Sequence, residues 1–284
     1  MLRKLQYFLR SAVAHLDPDR FACPNCGEKG ARVVDRKALV TALVRCGRCR
    51  LLYRTPVDKT GHNREFYQSK YSCGYTTDCP DAATLARLMS SDFNGSERDY
   101  GPRIEVLRAL GVKPPCRLLD FGASWGYGTY QFIKAGYDAQ GCEISKPRAQ
   151  YAREMVKAPV LDDVESLGTG FDVFFSSHVL EHVPVPSETV RLAKRICRPG
   201  AVFVAFTPNG ALAHRAANRV NHLRHWGDIH PNLLDDEFYA AAFPEAPLLL
   251  ASLPYDFNAL AEWDRKTCAT LDLSGGELLC VTVL

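Results

Sequence analysis

Residues 117–145 read RLLDFGASWGYGTYQFIKAGYDAQGCEIS, and this stretch decides the fold. An apolar strand runs into a glycine-rich turn, an amphipathic helix follows, and a second strand ends in an acid. Glycine lets the backbone turn sharply and approach a ligand without side-chain obstruction. Glu143 follows about 20 residues after the turn, where a carboxylate can hold a ribose diol. The order of strand, turn, helix and acid predicts a nucleoside-binding βαβ unit.

The spacing of the glycines indicates which nucleoside cofactor the turn accepts. Gly122, Gly126 and Gly128 stand two, six and eight residues after Asp120, which does not match the G-x-G-x-x-G pattern of a dinucleotide site. From Asp120 onward the segment resembles motif I of class I S-adenosylmethionine-dependent methyltransferases. The usual form of that motif is D-x-G-x-G-x-G, and Ser124 replaces its middle glycine.

Three further segments resemble the same family, in the same order along the chain. They are DDVESL (162–167), FDVFFSSHVLEHV (171–183) and RPGAVFVAFTPN (198–209), so the resemblance covers most of residues 100–284. Alternating β and α elements predict a doubly wound α/β fold with a mainly parallel sheet. The family implies that the last strand runs antiparallel. The seven predicted strands are 117–121, 138–142, 159–161, 171–176, 201–206, 247–252 and 277–284.

The resemblance also implies contacts with S-adenosylmethionine by motif position. Asp120 is expected to position the turn or the cofactor's amino group, and Glu143 to hold the ribose hydroxyls. Asp163 is expected to contact the adenine amine, with Asp162 as the alternative in register. The expected cofactor-binding residues are Asp120, Gly122, Ser124, Gly126, Glu143, Asp163, Val164 and Ser176.

Four cysteines have the spacing of a metal site. Cys23 and Cys26 form one C-x-x-C pair, Cys46 and Cys49 form a second, and nineteen residues separate the pairs. The intervening segment is rich in β-forming residues, and a hairpin there would bring the pairs together as in a zinc ribbon. A redox C-x-x-C pair is the alternative. It needs only one such motif and a thioredoxin-like βαβ context, and neither fits this sequence. Four sulfur ligands predict a structural Zn²⁺ ion with no open position.

The chain divides into four predicted parts: an amphipathic helix (1–20), the zinc ribbon (21–60), a tyrosine-rich linker or lid (61–100) and the methyltransferase domain (101–284). Tyr67, Tyr71 and Tyr75 recur every four residues, so on a helix they share a face that either docks the ribbon or covers the cofactor. A ribbon followed by such a linker resembles methyltransferases that modify sugars and other small molecules.

The amino-terminal quarter is basic and helical in pattern. Residues 1–60 hold 13 Lys or Arg against 5 Asp or Glu, so RNA or another polyanion is a conceivable partner of the ribbon. Arg10 interrupts any signal-peptide core, and no apolar run reaches the roughly 20 residues of a membrane span, so a cytoplasmic enzyme is expected. The apolar residues with helical spacing, expected to pack on the body, are Leu2, Leu5, Leu9, Ala12, Val13 and Leu16.

Methyl transfer from a sulfonium requires alignment of donor and acceptor and removal of a proton from a hydroxyl acceptor. Imidazole suits that task near neutral pH. His178, just after the fourth predicted strand, and His225 and His230, after the fifth, are the candidate catalytic bases; a structural role is the alternative for each. His182 occupies a family position of largely architectural role, and Glu181 is assigned to the first turn of a helix.

These observations predict a methyltransferase that acts on a hydroxyl, or less favourably a carbon, of a sugar, nucleotide sugar, glycan or secondary metabolite. Ser176, Ser177 and His178 stand where enzymes that methylate nucleic-acid amino groups carry an N-P-P-Y-type loop, so nucleic acid is disfavoured. An rRNA or tRNA methyltransferase that grips phosphates with its ribbon is one alternative. A non-catalytic ribbon protein with a vestigial cofactor pocket is the other.

Overall fold

The computed structural model describes residues 2–37, 39–58 and 78–284. Its strands are β1 (Ala31–Lys37), β2 (Thr41–Cys46), β3 (Leu52–Thr55), β4 (Arg117–Phe121), β5 (Asp138–Cys142), β6 (Val160–Leu161), β7 (Phe171–Ser177), β8 (Cys197–Pro208), β9 (Asn232–Leu233), β10 (Leu248–Ser252), β11 (Ala269–Thr270) and β12 (Glu277–Val283). Its α-helices are α1 (Leu2–Ala14), α2 (Ala82–Ser90), α3 (Gly101–Ala109), α4 (Tyr127–Lys134), α5 (Lys146–Tyr151), α6 (Pro186–Ile196), α7 (Leu212–Ala217), α8 (Arg219–Arg224), α9 (Asp236–Ala242) and α10 (Phe257–Glu262).

The large sheet confirms the doubly wound, mainly parallel fold. Among the described residues its strand order is β11-β10-β12-β8-β7-β4-β5-β6. Strands β6, β5, β4, β7 and β8 run parallel to one another, and β12 lies antiparallel to both β8 and β10. The sheet has eight strands rather than the predicted seven, because Ala269 and Thr270 pair with β10 at the edge. Two residues are too few to give a periodic signal in a sequence.

The core explains why the central strands read as continuous apolar runs. Phe174 and Phe175 are adjacent in β7, both fully buried, and belong to two different hydrophobic clusters. Successive side chains of a strand point to opposite faces, and helices cover both faces of this sheet, so both positions must be apolar. Polarity returns only at the carboxyl end of β7, where Ser176, Ser177 and His178 follow. Ligands of such sheets bind at that end.

A second, four-stranded sheet joins the amino-terminal segment to the body. Its order is β1-β2-β3-β9, and β9 belongs to the long excursion between β8 and β10. Leu52 pairs with Leu233 and Tyr53 with Asn232, and the amide of Arg54 donates to the carbonyl of Pro231 at 2.8 Å. The ribbon strands and the excursion therefore form one continuous hydrogen-bonded unit.

Helix α1 packs through a face other than the predicted one. Ser11 and Ala14 are buried, whereas Leu9, Val13 and Leu16 are 54%, 66% and 84% exposed. The expectation that this apolar face packs on the body is wrong for those three residues. A polar contact orients the helix as well: Arg10 donates to Asp228 at 2.6 Å. No helix within residues 2–37, 39–58 and 78–284 is both long and apolar enough to cross a membrane.

Candidate active site

The glycine-rich turn after β4 adopts conformations that its sequence requires. Gly122 and Gly126 have φ angles of +83° and +82°, in the left-handed region that glycine enters without strain. The amides of Gly122 and Ala123 both donate to the carbonyl of Cys142, at 2.8 and 3.0 Å, which closes the turn over the end of β5. Ser124, the departure from the family pattern, has φ of 51°. Ser124 therefore lies in the left-handed region that glycine enters without strain.

The carboxylate of Glu143 holds this turn in place. Its Oε2 accepts a hydrogen bond from the Ser124 amide at 3.0 Å, and its Oε1 accepts one from the Ser145 amide at 2.8 Å. Burial raises the pKa of Glu143, against the lowering effect of these hydrogen bonds. Each carboxylate oxygen keeps a second lone pair, so the side chain can also receive a ribose hydroxyl.

Asp120 lies beneath the turn and is fully buried. The Thr129 hydroxyl donates to its Oδ2 at 2.8 Å. Burial raises the pKa of Asp120 to about 7. The residue therefore anchors the start of α4 to β4.

The expected adenine-side residues lie on a short turn after β6. Asp163 is exposed and accepts hydrogen bonds from the Glu165 amide and the Ser166 hydroxyl. Val164 packs against the main core cluster, and Asp162 faces Arg153 at 3.3 Å. Asp163 therefore caps its own turn while remaining exposed.

Two buried hydroxyl groups test whether the residues of this site suit a polar cofactor. Ser124 Oγ and Ser176 Oγ make no hydrogen bond to any described residue, and both residues are at most 5% exposed. Buried polar atoms are normally paired. Both stand at the carboxyl ends of neighbouring strands, β4 and β7, so the residues present fit a ligand rich in polar atoms at that edge.

A histidine–glutamate cluster, made of His178, Glu181, His182 and His230, follows the end of β7. Nε2 of His178 lies 2.7 Å from Oε2 of Glu277, and its Nδ1 lies 3.4 Å from Oε1 of Glu181. Burial lowers the pKa of His178, but the two carboxylates outweigh it and raise the pKa to about 9. The ring of His182 meets that of His230 edge to face, with centroids 4.7 Å apart.

The structure separates the two histidines predicted after the fifth strand. His230 joins the histidine–glutamate cluster, and burial lowers its pKa to about 4. The ring of His225 instead stacks on His214, with centroids 5.2 Å apart, and burial lowers its pKa as well. His225 reaches the cluster only through its carbonyl, which accepts a hydrogen bond from Nδ1 of His230 at 3.0 Å.

Glu181 corrects one expectation. Helix α6 begins only at Pro186, so Glu181 does not lie in a first helical turn. It sits in a turn after β7 and is fully buried. Glu277, the carboxylate that holds His178, was not predicted, because its place in the last strand gives no local sign of a partner 99 residues away.

The four predicted zinc ligands converge. The Sγ atoms of Cys23, Cys26, Cys46 and Cys49 lie within 4.8 Å of one another. Cys23 and Cys49 are 3.5 Å apart, as are Cys26 and Cys46. A tetrahedron with Zn–S bonds of about 2.3 Å has sulfurs roughly 3.8 Å apart, so the set fits a zinc ion. Tyr67, Tyr71 and Tyr75 of the predicted lid lie outside the described residues.

Comparison with known proteins agrees with this arrangement. A family model described as Methyltransferase domain matches residues 95–248, more than half of the chain. A curated relative, the ubiquinone biosynthesis O-methyltransferase of Methylococcus capsulatus, is 28% identical over 120 residues, which are 39% of this chain and 51% of the relative. The chain thus spans about half the length of that relative.

Solved structures share the fold at low identity. The plantazolicin methyltransferase BamL, in complex with a triazolic desmethylPZN analog and SAH, is 12% identical with a TM-score of 0.52; the match covers 78% of this chain and 95% of that chain. The plantazolicin methyltransferase BpumL, in complex with a pentazolic analog and SAH, is 14% identical with a TM-score of 0.50 and the same coverage. At these identities the likeness shows the fold alone.

Proposed function

The chain belongs to the methyltransferase-domain family, and on that premise we propose that it methylates a hydroxyl oxygen of a small molecule of the sugar, nucleotide sugar, glycan or secondary-metabolite class. The observation that carries the proposal is the position of the histidine–glutamate cluster. Val179, in the loop that bears it, packs so closely on Gly122 that a Cβ there would come within 2.2 Å of Val179 Cγ2. Proton-binding side chains therefore adjoin the glycine-rich turn.

The proposed cofactor is S-adenosylmethionine, which when bound supplies an electrophilic methyl group on its sulfonium. Gly122, Ser124 and Gly126 shape the turn that would receive it, with Glu143 offering its carboxylate to the ribose. Asp163 and Val164 would flank the adenine. Ser176 and Asp120 would complete the pocket, the first through its unpaired hydroxyl and the second by holding α4 in place.

Residues of the excursion between β8 and β10 and of the loop after β7 would form the acceptor side. We assign His178 to contact with the acceptor hydroxyl, because 47% of its side chain is exposed while Glu277 fixes its ring. His230, which is half-buried, forms the wall of that site, and the carbonyl of His225 orients the His230 ring. A bound hydroxyl would thus be held between fixed imidazoles, which is the alignment that methyl transfer needs.

Ion pairs formed by three arginines of the ribbon favour a small acceptor over RNA. Arg45 and Asp235 form a buried ion pair, and Arg50 and Arg54 pair with Glu237 and Asp58. Guanidinium groups engaged in this way are not available to grip phosphates. We propose that Cys23, Cys26, Cys46 and Cys49 bind a structural Zn²⁺ and that the ribbon braces the acceptor side.

A transfer assay tests the proposal. The full chain is incubated with methyl-labelled S-adenosylmethionine and, in parallel, with a panel of hydroxyl-bearing sugars, nucleotide sugars and phenols and with total RNA. Label in a small hydroxyl compound, lost on removal of that hydroxyl, is the expected result. Label incorporated into RNA alone would overturn the acceptor class. Failure to bind S-adenosylmethionine by calorimetry would overturn catalysis itself.

A matched pair of histidine variants then tests the acceptor side. His178→Asn is expected to lower kcat by roughly 100-fold, the size of effect that a displaced acceptor produces, while the Kd for S-adenosylmethionine stays within twofold. His15→Asn is the control, because His15 is exposed on the amino-terminal segment. Equal kcat values for the two variants would remove His178 from the acceptor site.

A further inference from the structure

Glu181 is a buried carboxylate whose basic neighbours among the described residues are imidazoles. Its side chain is fully buried, and neither carboxylate oxygen accepts a hydrogen bond from a described residue. The nearest basic atom recorded is Nδ1 of His178, at 3.4 Å from Oε1, and that ring is committed to Glu277 at its other nitrogen. Buried carboxylates are found paired or bound to metal ions.

Two imidazoles complete a set of metal-binding atoms around this carboxylate. Glu181, His182 and His230 each place one donor atom within 4.8 Å of the others. Nδ1 of His182 lies 2.9 Å from the carbonyl of Ile229, and Nδ1 of His230 lies 3.0 Å from the carbonyl of His225. A carbonyl only accepts hydrogen bonds, so both Nδ1 atoms carry a proton, which leaves Nε2 of each ring as the nitrogen that can offer a lone pair to a metal ion. Metal-binding histidines are oriented in this way.

The backbone holds the three residues in register. The amide of Asn232 donates to the carbonyl of Glu181 at 3.2 Å, and its side-chain amide donates to the carbonyl of Val183 at 2.7 Å. These bonds tie the loop after β7 to the segment that carries His230. The donor set is therefore fixed by the fold rather than by chance approach of mobile side chains.

We propose that Glu181, His182 and His230 bind a divalent first-row metal ion, separate from the ion of the four cysteines. Two imidazoles and one carboxylate leave coordination positions open, as in catalytic metal sites. The next step rests on the proposed function: an open position on the ion would receive the acceptor hydroxyl and lower its pKa.

Mn²⁺ is a suitable probe, because soft thiolates disfavour it and nitrogen and oxygen ligands accept it. The full chain, with its ribbon loaded with zinc, is titrated with MnCl₂, and free Mn²⁺ is followed by electron paramagnetic resonance. One tight Mn²⁺ per chain is expected. Glu181→Gln and His230→Gln are each expected to weaken binding by at least about 100-fold, since even outer-shell changes cost 10–100-fold.

Glu188→Gln serves as the control, because this side chain is 68% exposed; its Mn²⁺ affinity should equal that of the unaltered chain. Circular dichroism and S-adenosylmethionine binding establish that each variant is folded. Wild-type protein that binds no Mn²⁺, or a folded Glu181→Gln variant that binds it equally well, would overturn the site and leave His178 to balance the Glu181 charge. Because binding is measured without turnover, failure to methylate any hydroxyl would count against the proposed function and not against the metal site.

Discussion

Neutralising Asp235 should destabilise the protein by several kcal/mol, because it leaves a buried arginine without its main partner. Arg45 and Asp235 are 3% and 0% exposed, and their closest oxygen and nitrogen atoms are 2.5 Å apart. Removing one member of a buried ion pair costs about 3–5 kcal/mol. Glu237, 3.2 Å from the same guanidinium and 31% exposed, retains part of the compensation, so the lower end, about 3 kcal/mol, applies to Asp235→Asn.

Asp235→Ala should cost about 1 kcal/mol more, because Asp235 also caps α9. Its Oδ1 accepts a hydrogen bond from the Phe238 amide at 3.0 Å, a bond that asparagine can keep. Together these give about 4 kcal/mol for alanine, which lowers Tm by roughly 8–16 °C for a domain of this size. The measurement belongs at pH 8, well above the ordinary pKa of an aspartate, so that the carboxylate is charged.

The assay is urea unfolding followed by tryptophan fluorescence, with Asp236→Asn as the neighbouring control. Adding Arg45→Met to Asp235→Asn should restore most of the loss, because an apolar side chain replaces the stranded charge. A loss below about 1 kcal/mol for Asp235→Asn, or an additive loss in the double variant, would refute the account of this pair as the buried bond between ribbon and body.

Three further predictions concern the glycine-rich turn and the cysteine cluster of the ribbon. Glu143→Gln should raise the calorimetric Kd for S-adenosylmethionine about tenfold or more, and Glu154→Gln, which is exposed, should not; equal affinities would remove the ribose assignment. Asp120 has a folded pKa of about 7 against an ordinary 3.8, so between these pH values the folded state binds more protons than the unfolded state. The free energy of unfolding therefore falls as the pH rises through this range, by at most about 4 kcal/mol. Asp120→Asn should remove that slope in cofactor-free unfolding, and an unchanged slope would contradict the cause. Cys46→Ser should raise amide exchange at Asn232 and Leu233 of β9 at least about tenfold while 117–121 stay protected; uniform protection would show that the ribbon does not brace β9.

Much of the fold was predictable because its signals are local. The strands 117–121 and 138–142 were predicted with the bounds that β4 and β5 have. Each is an apolar run that ends at a turn, and the strict order of βαβ units leaves few topologies. The four cysteines were found for the same reason, since two short C-x-x-C turns are visible without knowledge of the rest of the chain.

The acceptor side was predictable only in part, because distant residues build it. Glu277 reaches His178 across 99 residues, and β9 is two residues long and pairs with a strand near the amino terminus. Neither contact leaves a periodic pattern in its own segment. Glu181 was misassigned because Pro186, and not the carboxylate, marks where α6 begins; a proline at the first helical position is the better signal.

The hydrogen bonds between the ribbon and the body indicate a role for the ribbon. The Cys46 amide donates to Leu51, β3 continues directly into its pairing with β9, and Asn232 of β9 bonds both Glu181 and Val183. A continuous run of backbone hydrogen bonds thus connects a cysteine pair to the histidine–glutamate cluster, whereas the glycine-rich turn donates hydrogen bonds to Cys142 and Glu143 at the end of β5. Because coupling follows such packed and bonded elements, disturbance of the ribbon should reach the acceptor side first and leave cofactor binding nearly intact.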